Sequence, residues 1–435
     1  MPDHLRQALR EARKNSGRSF RGFAQQAGYS ESHLRSVENG LRAVTEDVVA
    51  AYERVLATGG EFASALARAG DAGIPPVPWD QSGALAALAG IASGSRVDRR
   101  TFIAASGPAM AALAARWRAA LADSGALPPG TGSRQVGREL VSHIGERLGY
   151  LRHLDDEVGS GDLAVLARNE LALIVRLLRG GRYTDAVGRR LYALAAEASR
   201  QAAWDYFDQD DHPAARRHFE AALRASATAG DPVTGAYALS FAAVQCYSTG
   251  EPQQAIALLE TASDAVARTG TPKMTAMLAA RSARAHSKAG SKRDCARQLY
   301  QARAALDRGP DPGDAPVLYW VTQGEIEMIA GSSALDLGDP AQAIRCFGAA
   351  ITADYRGDDQ YPRSHAIYLA RAAEAHLRLH DLNAALDRAA HAVRCLGGVD
   401  SARSASAILS LRAKLAPHAA SPAVREFLDA TRPQP

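Results

Sequence analysis

Apolar residues recur three and four positions apart through the first sixty residues, the spacing that places them on one face of an α-helix. The pattern predicts four short helices, over residues 5–15, 20–27, 31–39 and from about 45 onward. Ser19 and Ser30 stand where helix N-caps are expected, and Gly28 and Gly40 stand where helices end. The second and third helices are therefore predicted to be joined by a tight turn.

From Arg134 onward the pattern predicts pairs of helices, and a short motif recurs between the two helices of each pair. A turn residue is followed by Ala or Cys about five positions later and then by further apolar positions at helical spacing. The turn residues are Gly181, Asp210, Gly250, Gly290, Gly338 and His380, spaced 29, 40, 40, 48 and 42 residues apart. The motif resembles the tetratricopeptide repeat, whose usual period is about 34 residues. We therefore expect a tetratricopeptide-like α-solenoid with extended helices or inserted loops.

The region between these parts is rich in Gly, Pro and Ser from Gly70 to Asp98, and again over 124–133, which predicts a linker. An apolar stretch over 102–122 lies between the breaks, and we expect it to be a buried helix that docks on the repeats. Gly107-Pro108 interrupts it, so it falls short of the roughly 20 residues that span a bilayer. The predicted domains are 1–70, a linker with a docking helix over 71–133, and 134–435, with no membrane partner.

Composition agrees with an all-α fold, because Ala, Leu and Arg dominate and aromatic residues make up 6% of the chain. The cysteines are far apart and form no CxxC pair, so we expect small buried side chains in a reducing compartment. They are Cys246, Cys295, Cys346 and Cys395. Asp98–Ile103 resembles a twin-arginine export signal, but it is internal to the sequence, so we expect a cytoplasmic protein without export.

Charge is distributed unevenly along the chain. The formal net charge is +4, and residues 1–42 hold eight Lys and Arg against four acidic residues, whereas the remainder is balanced. The excess coincides with the four predicted N-terminal helices. A polyanion is therefore expected to bind there.

The segment from Ser19 to Gly40, SFRGFAQQAGYSESHLRSVENG, resembles the Cro/repressor-type helix-turn-helix of the xenobiotic-response-element family. The family's hallmarks are the Ala and Gly of the turn and a recognition helix that ends in Glu-Asn-Gly. The stretch Leu148–Gly159 is similar to one in actinobacterial regulators that join such a domain to repeats. These resemblances imply a transcriptional regulator that binds a double-stranded DNA operator.

Carried over by position, the resemblance implies two sets of DNA-binding residues. Arginine can pair with guanine, glutamate can accept from cytosine N4, and serine can bond either base edge. The base-facing set is Glu31, Ser32, His33, Arg35 and Ser36. The set expected to hold phosphates is Arg18, Ser19, Arg21, Asn39 and Arg42, which would fix register without selecting sequence. A solvated basic face on an ordinary helical module is the alternative interpretation.

The first helices of a solenoid line its concave face, where such proteins bind extended peptides. The repeat frame predicts a cationic and aromatic groove lined by Arg168, Arg200, Gln201, Trp204, Phe207, Tyr237, Phe241, Tyr247, Arg281, Arg284 and Arg371. Guanidinium groups bind carboxylates, so a short acidic or C-terminal peptide, or another effector, is the expected ligand. These residues could instead serve only in packing.

No sequence feature indicates an enzyme, because a Gly-rich phosphate loop, HExxH and GxSxG are all absent from the sequence. No cofactor and no metal are expected, although His365, His376, His380 and His391 lie near one another along the chain. We expect a homodimer, because two half-sites supply the specificity that one recognition helix lacks. The alternative is a repeat scaffold that binds proteins without contacting DNA.

Overall fold

A computed structural model describes residues 2–39, 44, 46–56, 58, 60–62, 78–93, 108–160, 163–353, 355, 357–397 and 401–432. The described residues through 62 form one compact unit, and those over 79–93 and 108–432 form a second, here called the helix-pair domain. Arg42, Gly40, the Asp98–Ile103 motif and the expected boundary at 70 lie outside the described residues. No helix in the described part of the chain is long and apolar enough to cross a bilayer.

The all-α prediction is confirmed. The helices are α1 Pro2–Asn15, α2 Phe20–Ala27, α3 Glu31–Glu38, α4 Glu46–Leu56, α5 Gln81–Ala92, α6 Pro108–Ala122, α7 Arg138–Val158, α8 Leu163–Gly180, α9 Asp185–Asp208, α10 His212–Ala229, α11 Pro232–Ser248, α12 Pro252–Ala265, α13 Pro272–Lys288, α14 Lys292–Leu306, α15 Gln323–Asp336, α16 Pro340–Thr352, α17 Gly357–Gln360, α18 Pro362–Arg378, α19 Leu382–Cys395, α20 Ala402–Leu415 and α21 Pro422–Ala430. Two short 3₁₀ turns follow α14 and α20.

The described strands form one small sheet, which the sequence did not predict. They are β1 Gly130–Thr131, β2 Arg134–Gln135 and β3 Gly181–Tyr183. β3 lies in the middle, antiparallel to β1 and parallel to β2. Gly181, expected to be a repeat turn, therefore begins a strand that joins α8 to α9.

The first unit is built as its sequence pattern predicts. The hydroxyl oxygens of Ser19 and Ser30 accept hydrogen bonds from the backbone N–H groups of Gly22 and His33, capping α2 and α3. Gly28 ends α2 at φ 77°, a left-handed conformation that glycine adopts without a Cβ clash. The apolar faces of the helices meet in one core that includes Leu9, Phe23, Leu34, Val49 and Tyr52.

The helix-pair domain contains five hairpins of consecutive helices, α9–α10, α11–α12, α13–α14, α15–α16 and α18–α19. Each hairpin turns at a position that the repeat motif identified. The turn residues all have positive φ, namely Asp210 (67°), Gly250 (86°), Gly290 (78°), Gly338 (80°) and His380 (61°). The left-handed turn brings the second helix back along the first, so the two helices bury their alanine-rich faces against each other.

The linker prediction is wrong for residues 81–92, which form a helix. α5 packs against α8 and α10, with Ala84 and Leu88 buried, because its run of Ala and Leu supplies an apolar face despite the flanking Gly and Pro. The docking-helix prediction holds from Pro108: α6 packs on α10 and α12. Its Trp117 is fully buried and donates from Nε1 to Ser226 Oγ at 2.9 Å.

Helices far apart in sequence meet at the centre of the helix-pair domain. Arg363 of α18 donates from both Nη atoms to the two carboxylate oxygens of Asp155 on α7, at 2.6 and 2.8 Å. Asp208 at the end of α9 accepts from Ser401 Oγ at 3.0 Å and pairs with Arg403 of α20 at 3.4 Å. These bonds link helices α7 and α9 to α18 and α20 around a central space.

Candidate DNA-binding surface and central cavity

The third helix of the first unit, here called the recognition helix α3, is fixed from below by a buried ion pair. Arg13 of α1 donates from Nε and Nη2 to the carboxylate of Glu38, at 2.6 and 2.8 Å. The hydroxyl of Tyr52 on α4 donates to the same carboxylate at 2.7 Å. Burial, with the hydrogen bond to Glu38, raises the pKa of Tyr52. One carboxylate thus ties α3 to both α1 and α4.

This ion pair removes Arg13 and Glu38 from the charged surface and leaves the basic excess of the segment unchanged. Arg13 is one of the eight basic residues among the first 42, but its side chain is buried and its charge is neutralised by Glu38. The described basic surface is therefore made by the exposed cations Arg10, Lys14, Arg18, Arg21 and Arg35. Glu38, which belongs to the Glu-Asn-Gly ending, points inward because its carboxylate has two donors in the core.

The expected base-facing residues lie along α3. Glu31 and Arg35 form an exposed i,i+4 ion pair at 2.5 Å, and the Arg35 guanidinium carbon is 4.6 Å from the centre of the Phe20 ring. Ser36 donates to the backbone carbonyl of Ser32 at 2.8 Å. The ring of His33 stacks on that of Tyr29, with centroids 4.9 Å apart. Glu31 and Arg35 are therefore both accessible and held in place before any ligand arrives.

The expected phosphate-holding residues Arg18, Ser19, Arg21 and Asn39 are all exposed. The hydroxyl oxygen of Ser19 is occupied as the cap of α2. Arg18 donates to the backbone carbonyl of Val55 at 2.5 Å, which directs its side chain to the last turn of α4. Arg18 precedes the N-cap of α2 and Arg21 lies in its first turn, and a helix N-terminus with basic residues next to it suits a phosphate.

The predicted groove corresponds largely to a real cavity of about 260 Å³ in the helix-pair domain. It is lined by the first helix of each of the five hairpins, together with α7 and α20. Nine of the eleven predicted residues line it: Arg200, Gln201, Trp204, Tyr237, Phe241, Tyr247, Arg281, Arg284 and Arg371. The regular position of these side chains in the repeat frame is what made them predictable.

Two predicted groove residues, Arg168 and Phe207, do not line the cavity. Phe207 is buried behind the wall, against Trp204 with ring centroids 5.5 Å apart. Arg168 lies on α8, which contributes no residue to the lining because the hairpins begin one helix later, at α9. The prediction was wrong for Arg168 because the hairpins that line the cavity begin at α9 and not at α8. It was wrong for Phe207 because the repeat frame assigned this residue to the inner face, whereas its ring lies behind that face.

Sequence reasoning missed several lining residues that come from outside the repeat frame. They are Arg152, Asp155, Asp156, Tyr319, Trp320, Tyr361 and Arg403. Three further lining residues that were missed lie within the repeat frame, namely Glu325, Arg363 and Tyr368. Asp155 and Asp156 belong to the Leu148–Gly159 stretch, which the sequence singled out without a role for these two acids. Burial opposes ionisation of Asp155, but attraction to Arg363 and its hydrogen bonds more than offset this, so the pKa of Asp155 is lowered.

Positive charge exceeds negative charge along the lining, where seven arginines face three carboxyl groups. Asp336 pairs with Arg284, with Arg371 at 2.6 Å and with Lys288 at 3.4 Å, so one carboxylate serves three cations. Burial and the neighbouring Arg371 lower the pKa of Arg284 to about 9, so it stays charged at neutral pH. Glu197 likewise pairs with Arg152 and Arg200, and Asp208 with Arg403, so most of this positive charge is compensated by carboxylates of the same domain.

Two of the lining carboxyl groups are hard to ionise. Burial raises the pKa of Asp156 to about 7, although a hydrogen bond from Tyr319 opposes the shift. Burial also raises the pKa of Glu325 to about 7, against a 2.6 Å hydrogen bond from the Tyr368 hydroxyl. Near neutral pH these two groups therefore carry only part of a negative charge.

Of the four histidines that lie near one another in the sequence, the structure brings His365 and His391 together, with ring centroids 5.5 Å apart. His376 lies 3.6 Å from Asp381, and His380 occupies the turn before α19. Ligand atoms of His365, His391 and Cys395 come within 4.8 Å of one another. Two imidazoles and a thiolate are ligands that suit a transition metal such as zinc. Of the four cysteines, three are buried and Cys395 is partly exposed, and all are free thiols.

Comparison with known proteins agrees with the geometry of the first unit. A family model described as a helix-turn-helix domain matches residues 4–66, the range that holds α1 to α4. No curated protein matches the chain. The first unit is therefore a helix-turn-helix domain, a fold that places its second motif helix in the major groove of DNA. The chain joins this DNA-binding domain to an all-α domain of helix pairs.

Proposed function

We propose that this protein is a sequence-specific transcriptional regulator, and not an enzyme, that acts on chromosomal DNA in the cytoplasm. The observation that carries the proposal is the recognition helix α3: it is fixed to α1 and α4 by the Arg13–Glu38–Tyr52 cluster and presents Glu31 and Arg35 to solvent. A rigid scaffold beneath exposed, base-competent side chains is what direct readout of the major groove requires. The arginines beside α2 would supply phosphate contacts.

The proposed sensor is the helix-pair domain, which we assign to the tetratricopeptide type. The left-handed turns at the positions of the repeat motif support this assignment, as does a cavity lined by the first helix of each hairpin. An effector in that cavity would bond to several hairpins at once, because lining residues come from α9, α11, α13, α15 and α18. A ligand that binds one arrangement of the hairpins better than another shifts the equilibrium between them.

The proposed assembly is a homodimer that brings two recognition helices to two half-sites. An apolar stripe on α7 supports it: Tyr150, Leu154 and Val158 follow at four-residue spacing and are 75%, 38% and 44% exposed. Val165 and Leu166 at the start of α8 are exposed as well. A stripe of this kind can pair with its own copy across a two-fold axis, where each side chain meets the same surface.

A mobility-shift experiment with the full chain and the DNA upstream of its own gene tests the regulator proposal. We expect a specific complex that survives excess competitor DNA and weakens steeply as salt rises, because phosphate contacts release counterions. The matched variant is Arg35→Ala, which should lose preference for that DNA over competitor. Failure of the unmodified chain to bind any fragment of genomic DNA would reject the proposal and leave a protein-binding scaffold.

A further inference from the structure

The cavity contains a buried cation that lacks a counter-charge. Arg281 is 7% exposed, and its Nη1 donates to the hydroxyl of Ser240 at 3.0 Å. Its guanidinium carbon lies 4.0 Å from the centre of the Phe241 ring and 5.0 Å from that of Trp320. Within the described part of the chain, no carboxylate lies within 4.0 Å of this group. A hydroxyl group and aromatic faces replace only part of the hydration free energy that a buried cation has lost.

The neighbours of Arg281 do not supply the missing charge. Arg284, one turn further along α13, shares Asp336 with Arg371 and Lys288. Glu325, the carboxyl group whose charge acts on Arg281, is engaged by Tyr368 and has a pKa raised by burial to about 7. The Arg281 end of the cavity therefore needs an anion from outside the chain.

The size and walls of the cavity restrict that anion. Trp204, Tyr237, Phe241 and Trp320 form an aromatic wall beside Arg281. A cavity of about 150 Å³ holds one benzene molecule, so about 260 Å³ has room for on the order of a dozen non-hydrogen atoms. An extended peptide of several residues would not fit wholly inside this space.

We propose that the cavity binds a small aromatic anion, a single-ring carboxylate or phosphate whose acidic group bonds to Arg281 and whose ring packs on the aromatic wall. This inference rests on the proposed function in one respect, that the cavity is the effector site of the regulator. It replaces the acidic peptide expected from the sequence with a smaller ligand of the same charge. Guanidinium forks bind carboxylate and phosphate alike, and the ring supplies contact with Trp204 and Tyr237.

Calorimetric titration and thermal melting of the full chain, without DNA, test the proposal. The probes are benzoate and phenyl phosphate, with benzamide as the neutral analogue, acetate as the anion without a ring, and an acidic tetrapeptide. We expect benzoate or phenyl phosphate to raise Tm and to bind at least about tenfold more tightly than benzamide or acetate, because a charged hydrogen bond contributes a factor of that order.

Arg281→Met distinguishes a binding role from a structural one. Replacing a poorly compensated buried cation by an apolar side chain of similar length should keep or raise the Tm of the free protein. The same variant should lose about tenfold or more of the affinity for the aromatic anion. Arg308→Met, which removes an exposed arginine outside the cavity, should change neither value.

The proposal is overturned if no probe binds, if benzamide or acetate binds as well as benzoate, or if Arg281→Met leaves the affinity unchanged. Tighter binding of the tetrapeptide than of both aromatic anions would also overturn it, in favour of a peptide. DNA binding is measured separately, so the two proposals can fail independently. Anion binding by a chain that does not bind DNA would reject the regulator and keep the ligand assignment, whereas DNA binding without anion binding would do the reverse.

Discussion

Arg13 and Glu38 form a buried, two-point ion pair that joins the last turn of α1 to the last residue of α3. Tyr52 donates to the same carboxylate, so three helices meet at one charged group. The pair places a negative charge beneath a surface that is proposed to meet a polyanion, and it neutralises that charge with an arginine of the same domain. The acidic end of α3 therefore serves the fold of the first unit.

Glu38→Ala should destabilise the helix-turn-helix domain by about 3–5 kcal/mol, because it leaves Arg13 buried without its partner. Hydrogen exchange of the amides in α2 and α3, measured in the full chain, reports this loss. Glu31→Ala is the matched control, since its pair with Arg35 is exposed and should contribute about 0.5 kcal/mol or less. Equal protection in the two variants would contradict the structural role of Glu38.

Arg21→Ala and Arg35→Ala should weaken DNA binding in different ways. Arg21 is exposed beside the N-terminus of α2, so its loss should lower affinity for all sequences and reduce the salt slope by about one. Arg35 lies on the recognition helix, so its loss should cost about 1–3 kcal/mol on preferred DNA and much less on competitor. Mobility shifts at several salt concentrations measure both slopes. The assignments fail if the two variants behave alike.

The sequence predicted those parts of the structure that depend on local rules. Ser19, Ser30 and Gly28 cap helices wherever the surrounding residues are helical, so their positions could be assigned before any packing was known. Asp210 and His380 were identified as turns from spacing alone, and both have positive φ. In a repeat, the inner face of each first helix also follows from local spacing, which is why nine of the eleven predicted groove residues line the cavity.

Contacts between distant segments could not be predicted in the same way. The Asp155–Arg363 pair joins residues 208 positions apart, and no local pattern shows that α7 meets α18. The inward orientation of Glu38 depends on Arg13, which looked like one more surface base. The helix over 81–92 was not predicted, because the linker rule uses the mean composition of residues 70–98 and the Gly and Pro around the helix outweigh its short apolar segment.

Trp117→Ala should destabilise the helix-pair domain by about 3–5 kcal/mol, the usual cost of removing a large buried aromatic side chain. The ring is fully buried and packs directly on Gly235, where an added Cβ atom would lie 2.2 Å from it. Because glycine has no side chain that could move into the space, the loss of the ring leaves a cavity. Urea unfolding of the full chain, followed by circular dichroism, measures the change. Leu409→Ala, at a side chain that is 48% exposed, should shift stability by less than about 0.5 kcal/mol.

Leu154→Glu should weaken the proposed dimer, because it places a charge in the centre of the apolar stripe on α7. Light scattering of the full chain over a range of concentrations measures the association. Tyr300→Glu is the control, since Tyr300 is 73% exposed on α14, outside the stripe. A dimer that persists unchanged in Leu154→Glu would show that another surface makes the contact.

Glu325→Gln should stabilise the protein more at pH 8 than at pH 5. Burial raises the pKa of Glu325 from about 4.5 to about 7, against the hydrogen bond from Tyr368 and the attraction of Arg281, while Asp156 adds to the rise. The folded protein therefore binds this proton more tightly than the unfolded chain, and the group's contribution to stability falls as pH rises from about 4.5 to 7. A glutamine keeps an acceptor for Tyr368 and carries no charge at either pH.

The difference in free energy of unfolding between this variant and the unmodified protein should therefore grow by on the order of 2 kcal/mol between pH 5 and pH 8. Urea unfolding at both values measures it, and the other titrating groups cancel because both chains contain them. Glu426→Gln, at an exposed position on α21, should leave the profile unchanged. A difference that is constant with pH, or largest at pH 5, would mean that Glu325 is already ionised when the cavity is empty, and that Arg281 has its counter-charge within the chain.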